Sequence, residues 1–184
     1  MLALVEELRA RHLAVHSVKP GDVYYDKDGN RFEALYAFDG VSTPVGKTDI
    51  NGMSLILLLT HSGVRALFTG DLNDPIGAYL AKSGHNGVNN LKADILKVPH
   101  HGTDPRADTL ASNDFFDSVD PRMALVPAPS ELWLSERSKR AREYFESRKI
   151  KTYVNGIHGH VTVTIGAGFF SGRYEVKGER DNFR

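Results

Sequence analysis

The sequence predicts a mixed α/β fold in which one β-sheet is flanked by helices. In the second half of the chain, apolar runs of strand length alternate with amphipathic stretches of helix length. In the first half, two pairs of apolar runs are separated by hairpin turn signals. Alternating strands and helices give parallel pairs and hairpins give antiparallel pairs, so the sheet should contain both.

The helices follow from their spacing of apolar residues. Leu2, Val5 and Leu8 recur at helical intervals and predict a helix at 2–12. The charged stretch 135–148 places Ala141, Tyr144 and Phe145 on one side and predicts a second amphipathic helix. The same reasoning predicts shorter helices at about 74–82 and 107–118.

The strands follow from apolar runs bounded by turn residues. A strand is predicted at 13–18, and a hairpin at 21–38 turns at Asp28-Gly29 or Gly29-Asn30. A second hairpin at 53–71 turns at His61-Ser62-Gly63, and its strands are apolar on both faces, which is typical of central strands. A loop is predicted at 39–52. Further strands are predicted at 94–98, 122–126, 151–154, 160–165 and 172–177.

Length and composition indicate one globular domain over residues 1–184, with 179–184 as a frayed tail. Hydrophobic residues make up 41% and charged residues 25%, which argues against disorder. Lys plus Arg and Asp plus Glu both count 23, so the charge does not indicate nucleic acid as a partner. The absence of cysteine excludes a disulfide framework and a thiolate metal site.

No membrane segment is predicted. The longest apolar run, MSLILLLT at 53–60, is far shorter than the roughly 20 residues that cross a bilayer. The start MLALVEELRARH has acidic residues in its apolar pattern and no cleavage site of a signal peptide. Together with the lack of cysteine, these features favour a soluble, cytoplasmic protein and leave the compartment open.

Titratable residues stand at the carboxyl ends of apolar strands, where open α/β sheets place their ligands. Asp71 follows Gly70 after the run ALF, and His100 and His101 follow the run DILKVP. An Asp after Gly is also a common turn residue. The paired histidines are less easily explained by a turn alone, because Pro99 and Gly102 bracket a tight turn that can aim both rings into one cleft. His158 and His160 form a weaker third candidate.

Two motifs resemble the metallo-β-lactamase superfamily. Thr69-Gly70-Asp71 closes a strand hairpin, and ADILKVPHHGT, residues 93–103, follows it after a short interval. Both motifs, in this order, closely resemble the C-terminal half of metallo-β-lactamase-fold hydrolases. The nearest branch contains the domain of the competence DNA-uptake protein ComEC (Rec2) and the phosphorylcholine esterases. The resemblance spans roughly residues 20–165 and implies the second half of an αββα sandwich.

The resemblance also implies roles for the matched residues. Asp71 corresponds to an aspartate that bridges two divalent ions, zinc in the complete family site, and His101 to a ligand of the second ion. His100 corresponds to a neighbouring catalytic residue that protonates a leaving group or holds a phosphate oxygen. The implied activity is metal-dependent hydrolysis, with a phosphodiester or phosphate ester favoured over a β-lactam as the small-molecule substrate.

The sequence also departs from the family. The family's upstream H-x-H-x-D-H motif, which supplies most of the metal ligands, is absent from this chain. The chain is therefore a part of a longer or split enzyme, or a degenerate, non-enzymatic interaction module that keeps the fold. We expect metal binding by this chain alone to be weak or absent. We also expect its exposed sheet face to be covered by the missing N-terminal half or by a second copy in a homodimer.

Overall fold

A computed structural model describes residues 2–38, 50–85, 90–104, 110–166 and 172–180 of the chain. Most of the expected loop at 39–52 lies outside these ranges, and so do residues 181–184 of the expected tail. The first two residues of that tail, Glu179 and Arg180, donate backbone hydrogen bonds to the carbonyl oxygens of His160 and His158.

The main structure is a mixed seven-stranded sheet, which confirms the predicted fold class. Its strands lie side by side in chain order. They are β1 (Val23–Tyr25), β2 (Arg31–Tyr36), β3 (Ile56–His61), β4 (Val64–Phe68), β5 (Ile95–Lys97), β6 (Met123–Val126) and β7 (Lys151–Val154). Strands β1 to β4 pair antiparallel and β4 to β7 pair parallel. The hairpins and the strand–helix alternation thus each form the type of pairing expected of them.

Helices cover one face of this sheet. The described helices are α1 (Leu2–Ala10), α2 (Asp74–His85), α3 (Asn113–Val119), α4 (Ser130–Leu134), α5 (Lys139–Ser147) and α6 (Asn155–His158). Of these, α2 to α5 form the covering layer, whereas the described residues of α1 are exposed or only partly buried. The larger core lies between the sheet and α2, α3, α4 and α5, where Phe115, Phe116 and Phe145 are fully buried. Within the described ranges, no helix is long and apolar enough to span a bilayer.

A small second sheet covers part of the opposite face. Strands β8 (Val161–Ile165) and β9 (Tyr174–Gly178) pair antiparallel. Val161, Val163 and Ile165 pack against a second buried cluster that includes Val64 and Ile95. The described part of the chain therefore has three layers: helices, the large sheet and this hairpin.

Some predicted elements differ from the structure. The strand predicted at 13–18 is wrong: this segment is irregular and mostly exposed, and no strand within the described ranges pairs with it. The helix predicted at 107–118 corresponds to α3, which begins at Asn113. Residues 105–109 lie outside the described ranges. The helix predicted at 135–148 is a 3₁₀ turn at Glu136–Ser138 followed by α5, with the expected Ala141, Tyr144 and Phe145 buried.

Candidate metal site

The candidate site lies where β4 and β5 end. These strands pair in parallel, and Phe68 is in register with Lys97. Both strands therefore end at the same edge of the sheet, and the residues that follow them are neighbours in space. This pairing brings the segment Thr69-Gly70-Asp71 next to the turn that contains His100 and His101.

A tight turn positions Asp71 just after β4. The buried Thr69 hydroxyl donates a hydrogen bond to the carbonyl oxygen of Lys97 at 2.7 Å, which ties the turn to β5. The backbone N–H of Asp71 donates to Ser54 Oγ at 3.0 Å. Gly70 has φ +53°, and a Cβ there would lie 2.9 Å from the Ser54 Cβ. Only glycine fits this position, so the T-G-D spacing has a local steric cause.

The two histidines occupy a left-handed turn after β5. The 3₁₀ segment Pro99–Gly102 contains His100 at φ 47° and His101 at φ 57°. Left-handed backbone costs non-glycine residues roughly 1–2 kcal/mol each, and such strain is often kept at functional sites. Gly102 continues the turn at φ +74°, where a Cβ would lie 2.7 Å from the Trp133 ring. The expected turn between Pro99 and Gly102 is thus present, and the close packing of Trp133 requires glycine at its end.

Backbone carbonyls fix both imidazole rings. Nδ1 of His101 lies 2.7 Å from the carbonyl oxygen of Pro127, and Nδ1 of His100 lies 2.9 Å from that of Thr103. A carbonyl oxygen only accepts, so each Nδ1 carries the proton and donates it. In the neutral rings, each Nε2 then has a lone pair available for a metal ion or a proton. The ring centroids lie 6.4 Å apart.

The structure brings Asp71 and His101 together. Nε2 of His101 lies 3.8 Å from Oδ1 of Asp71, and the two side chains are 47% and 45% exposed. The site is therefore an open surface rather than a closed cavity. Within the described ranges, no group of three or more His, Asp, Glu or Cys side chains is arranged to hold a metal ion. The predicted roles of Asp71, His100 and His101 remain predictions.

Lys97, for which the sequence predicted no role, is also part of this site. Its Nζ donates a hydrogen bond to the carbonyl oxygen of Gly70 at 2.5 Å and lies 3.8 Å from Asp71 Oδ1. Burial lowers the pKa of Lys97 below its usual value, and the nearby Asp71 carboxylate partly offsets this effect. The sequence did contain a signal for this role: Lys97 is a charged residue at the end of a buried apolar strand, just before the histidine motif.

The third candidate, His158 and His160, has local partners of its own. Nδ1 of His158 accepts a hydrogen bond from the backbone N–H of Val154 at 2.9 Å, and its ring packs against Tyr153 with centroids 5.3 Å apart. The backbone N–H of His160 donates to Glu179 Oε2 at 3.3 Å. These contacts indicate that His158 and His160 stabilise the turn before β8.

The fold and the site together define a mixed α/β protein with a carboxylate and imidazoles at the carboxyl edge of its parallel strands, a ligand set suited to divalent metals. No family model matches the sequence. Over 129 residues, or 68% of this chain, the sequence is 31% identical to ComE operon protein 3 of Bacillus subtilis (strain 168). This similarity supports the ComEC-like relationship predicted from the motifs. The chain spans only 14% of the length of that relative.

A solved structure is also similar. It is described as a "putative metal-dependent hydrolase" from Parabacteroides distasonis ATCC 8503, with a TM-score of 0.48 and 14% sequence identity. The match covers 82% of this chain and 61% of that one.

Proposed function

We propose that this chain carries one half of the metal site of a metallo-β-lactamase-like hydrolase that acts on phosphodiesters or phosphate esters. Asp71 and His101 are its metal ligands, and His100 is the proton-transfer residue. The observation that carries the proposal is the approach of His101 Nε2 to Asp71 Oδ1 at 3.8 Å. The similarity to ComE operon protein 3 and the two sequence motifs support it.

These two side chains fit a zinc ion. Zinc binds carboxylate oxygen and imidazole nitrogen at about 2.0–2.2 Å, which separates two ligand atoms of a tetrahedral site by roughly 3.4 Å. The observed 3.8 Å is close to that separation. The Pro127 carbonyl holds the proton of His101 on Nδ1, so a lone pair on Nε2 faces the negative Asp71 oxygen. Two electron-rich atoms in this arrangement favour a cation between them.

The residues of the chain supply distinct parts of a hydrolytic site. A bound divalent ion would lower the pKa of water near it and offset the negative charge of a phosphate oxygen. Asp71 supplies the anionic ligand and His101 the neutral one. His100 is anchored through Nδ1 to the Thr103 carbonyl, so Nε2 is the atom that would take up a proton and, in the imidazolium form, pass it to a leaving group.

The site needs further ligands from elsewhere. Zinc sites have four protein ligands when structural, and three with a water when catalytic, whereas Asp71 and His101 provide two. Large apolar side chains near the same edge are partly exposed: Phe68, which directly precedes the T-G-D turn, is 43% exposed, and Leu55 is 39% exposed. We propose that the missing N-terminal half, or a second copy of the chain, covers this edge and completes the metal site.

A second candidate function is a non-enzymatic interaction module that keeps the fold. The small number of metal ligands within the described ranges favours this module. Two protein ligands do not support metal-dependent catalysis unless a second polypeptide supplies more. The exposed Phe68 edge would then serve only for protein contacts.

Hydrolysis of bis(p-nitrophenyl) phosphate with added Zn²⁺ or Mn²⁺ distinguishes these functions. We expect no turnover by this chain alone. We expect turnover when a polypeptide that carries an H-x-H-x-D-H motif, encoded upstream in frame or by a neighbouring gene, is mixed in. Asp71→Asn should abolish that turnover, and Asp28→Asn, in the exposed β1–β2 turn, should leave it unchanged. A complex that forms with the upstream polypeptide but never hydrolyses the ester would favour the interaction module.

A further inference from the structure

We infer that Lys97 binds an anionic oxygen of the substrate and thereby makes the site selective for phosphodiesters over neutral esters. This inference rests on the proposed function, because it concerns the same site. Lys97 would be a specificity-determining residue, separate from the metal ligands and from His100.

The position of Lys97 places its charge at the site. Lys97 is the last residue of β5, and its backbone is in register with Phe68 and Leu125 on the neighbouring strands. Its side chain is only 21% exposed, so the aliphatic stem runs along the sheet and the ammonium group reaches the strand ends. The charge therefore lies beside Asp71, at the edge to which the two histidines also belong.

The ammonium group keeps hydrogen-bonding capacity in this position. It has three N–H donors, of which one is used by the carbonyl oxygen of Gly70. The distance of 3.8 Å to Asp71 Oδ1 is that of an ion pair without a hydrogen bond. In the part of the chain that the structure describes, these are the two polar contacts of Nζ. At least one N–H is therefore available to a ligand.

Charge balance indicates that the ligand is an anion. Without a metal, the Asp71 carboxylate is the counter-ion of Lys97. A divalent cation on Asp71 would take over that negative charge and leave the half-buried ammonium uncompensated, which is unfavourable. An anionic oxygen of a phosphodiester would offset part of this excess positive charge, whereas a neutral ester would not.

The test compares binding of two probes by ³¹P NMR, with and without Zn²⁺: dimethyl phosphate, which is anionic, and trimethyl phosphate, which is neutral. We expect Lys97→Gln to weaken dimethyl phosphate binding about tenfold, as expected for a charge-assisted hydrogen bond, and to leave trimethyl phosphate unchanged. Lys97→Arg should retain most of the binding. Lys92→Gln is the control, because Lys92 is an exposed lysine paired with Asp120.

Several results would overturn the inference. These are equal losses for both probes, no effect of Lys97→Gln, and no binding of dimethyl phosphate by the wild-type chain. A loss in Lys97→Gln that accompanies a lower thermal unfolding midpoint, and that Lys97→Arg does not rescue, would assign Lys97 a purely structural role. Zinc titration separates the two proposals. Zinc uptake that Asp71→Ala and His101→Ala leave unchanged would contradict the proposed metal site, whereas dimethyl phosphate binding that depends on Lys97 would still support the inference.

Discussion

Nε2 of His101 lies 3.8 Å from Oδ1 of Asp71, although the two residues follow different strands. The parallel pairing of β4 with β5 produces this approach, and the Pro127 carbonyl orients the imidazole. The two side chains therefore form a preorganised pair at an open edge of the sheet. Their exposure and small number would limit how tightly they hold an ion.

The first prediction concerns zinc affinity. Isothermal titration should show that the isolated chain binds Zn²⁺ no better than micromolar, because the missing ligands each contribute on the order of kcal/mol. Asp71→Ala and His101→Ala should each weaken the residual binding further. His16→Ala removes an exposed histidine outside the site and should have no effect. Stoichiometric zinc retained through dialysis against a chelator would contradict the idea of a half-site.

The second prediction concerns the left-handed backbone at His101, with φ 57°. Asparagine tolerates this conformation well, whereas a β-branched residue does not. We expect His101→Asn to keep the free energy of unfolding within about 1 kcal/mol of the wild type. His101→Val should lower the free energy of unfolding by roughly 2 kcal/mol. Both variants lose the hydrogen bond to Pro127, so the additional cost of valine reflects the left-handed backbone.

Chemical denaturation measures the stability of both variants, and zinc titration should show that both lose the metal. Equal stability of the asparagine and valine variants would show that the left-handed turn is not strained. Retained zinc binding in either variant would exclude His101 as a ligand.

Much of the fold could be predicted from local patterns. The strands β3 and β4 are apolar on both faces and do lie inside the sheet, and the turn glycines mark the ends of β4 and β5. The predicted strand at 13–18 failed because an apolar pattern does not show whether a pairing partner exists. Helix α4, Ser130–Leu134, was missed because five residues are too few for a helical period to show.

The site could be predicted less completely. The motifs pointed to Asp71 and His101 because the tight turns around these residues require particular residue types, such as glycine and proline. That requirement is local and is therefore visible in the sequence. Lys97 was missed because its importance depends on the register of β5 against β4, and register is a long-range property. The ring orientations depend on carbonyls of Thr103 and Pro127, which carry no residue-specific signal.

The third prediction concerns an ion pair that anchors the segment after the histidine turn. Nε of Arg140 donates to Asp104 Oδ2 at 2.7 Å, and the Asp104 side chain is only 7% exposed. Arg140→Ala removes this hydrogen-bonded cation from a buried carboxylate and should lower the free energy of unfolding by about 3 kcal/mol. Lys139→Ala breaks the exposed pair with Glu136 and should cost less than about 1 kcal/mol.

Urea denaturation measures both changes. Because the backbone N–H of Asp104 also donates to the Arg137 carbonyl, Arg140→Ala should loosen the segment between the histidine turn and α5. Faster amide hydrogen exchange in residues 101–104 would report that loosening. Equal, small effects of the two alanine variants would show that the pair contributes no more than a surface ion pair.

The fourth prediction concerns the effect of alkaline pH on a hydrogen bond that joins helices α3 and α5. The Tyr144 hydroxyl donates to Asp117 Oδ1 at 2.7 Å. Burial, followed by this hydrogen bond to a carboxylate, raises the pKa of Tyr144 above its ordinary value. The folded chain therefore retains the phenolic proton at a pH where the unfolded chain loses it, near pH 10. The stabilisation by Tyr144 is complete below that pH and decreases as the pH rises above it.

Tyr144→Phe removes both the hydrogen bond and this titration. At pH 7 we expect the variant to be less stable than the wild type by about 1 kcal/mol. Between pH 10 and 11 the difference should shrink, because only the wild type loses the contribution of Tyr144 there. Asp117→Asn should also reduce the alkaline loss, since it removes the carboxylate that disfavours the phenolate. Urea denaturation at pH 7, 9, 10 and 11 measures the differences, and a gap that stays constant or widens above pH 10 would contradict the assignment.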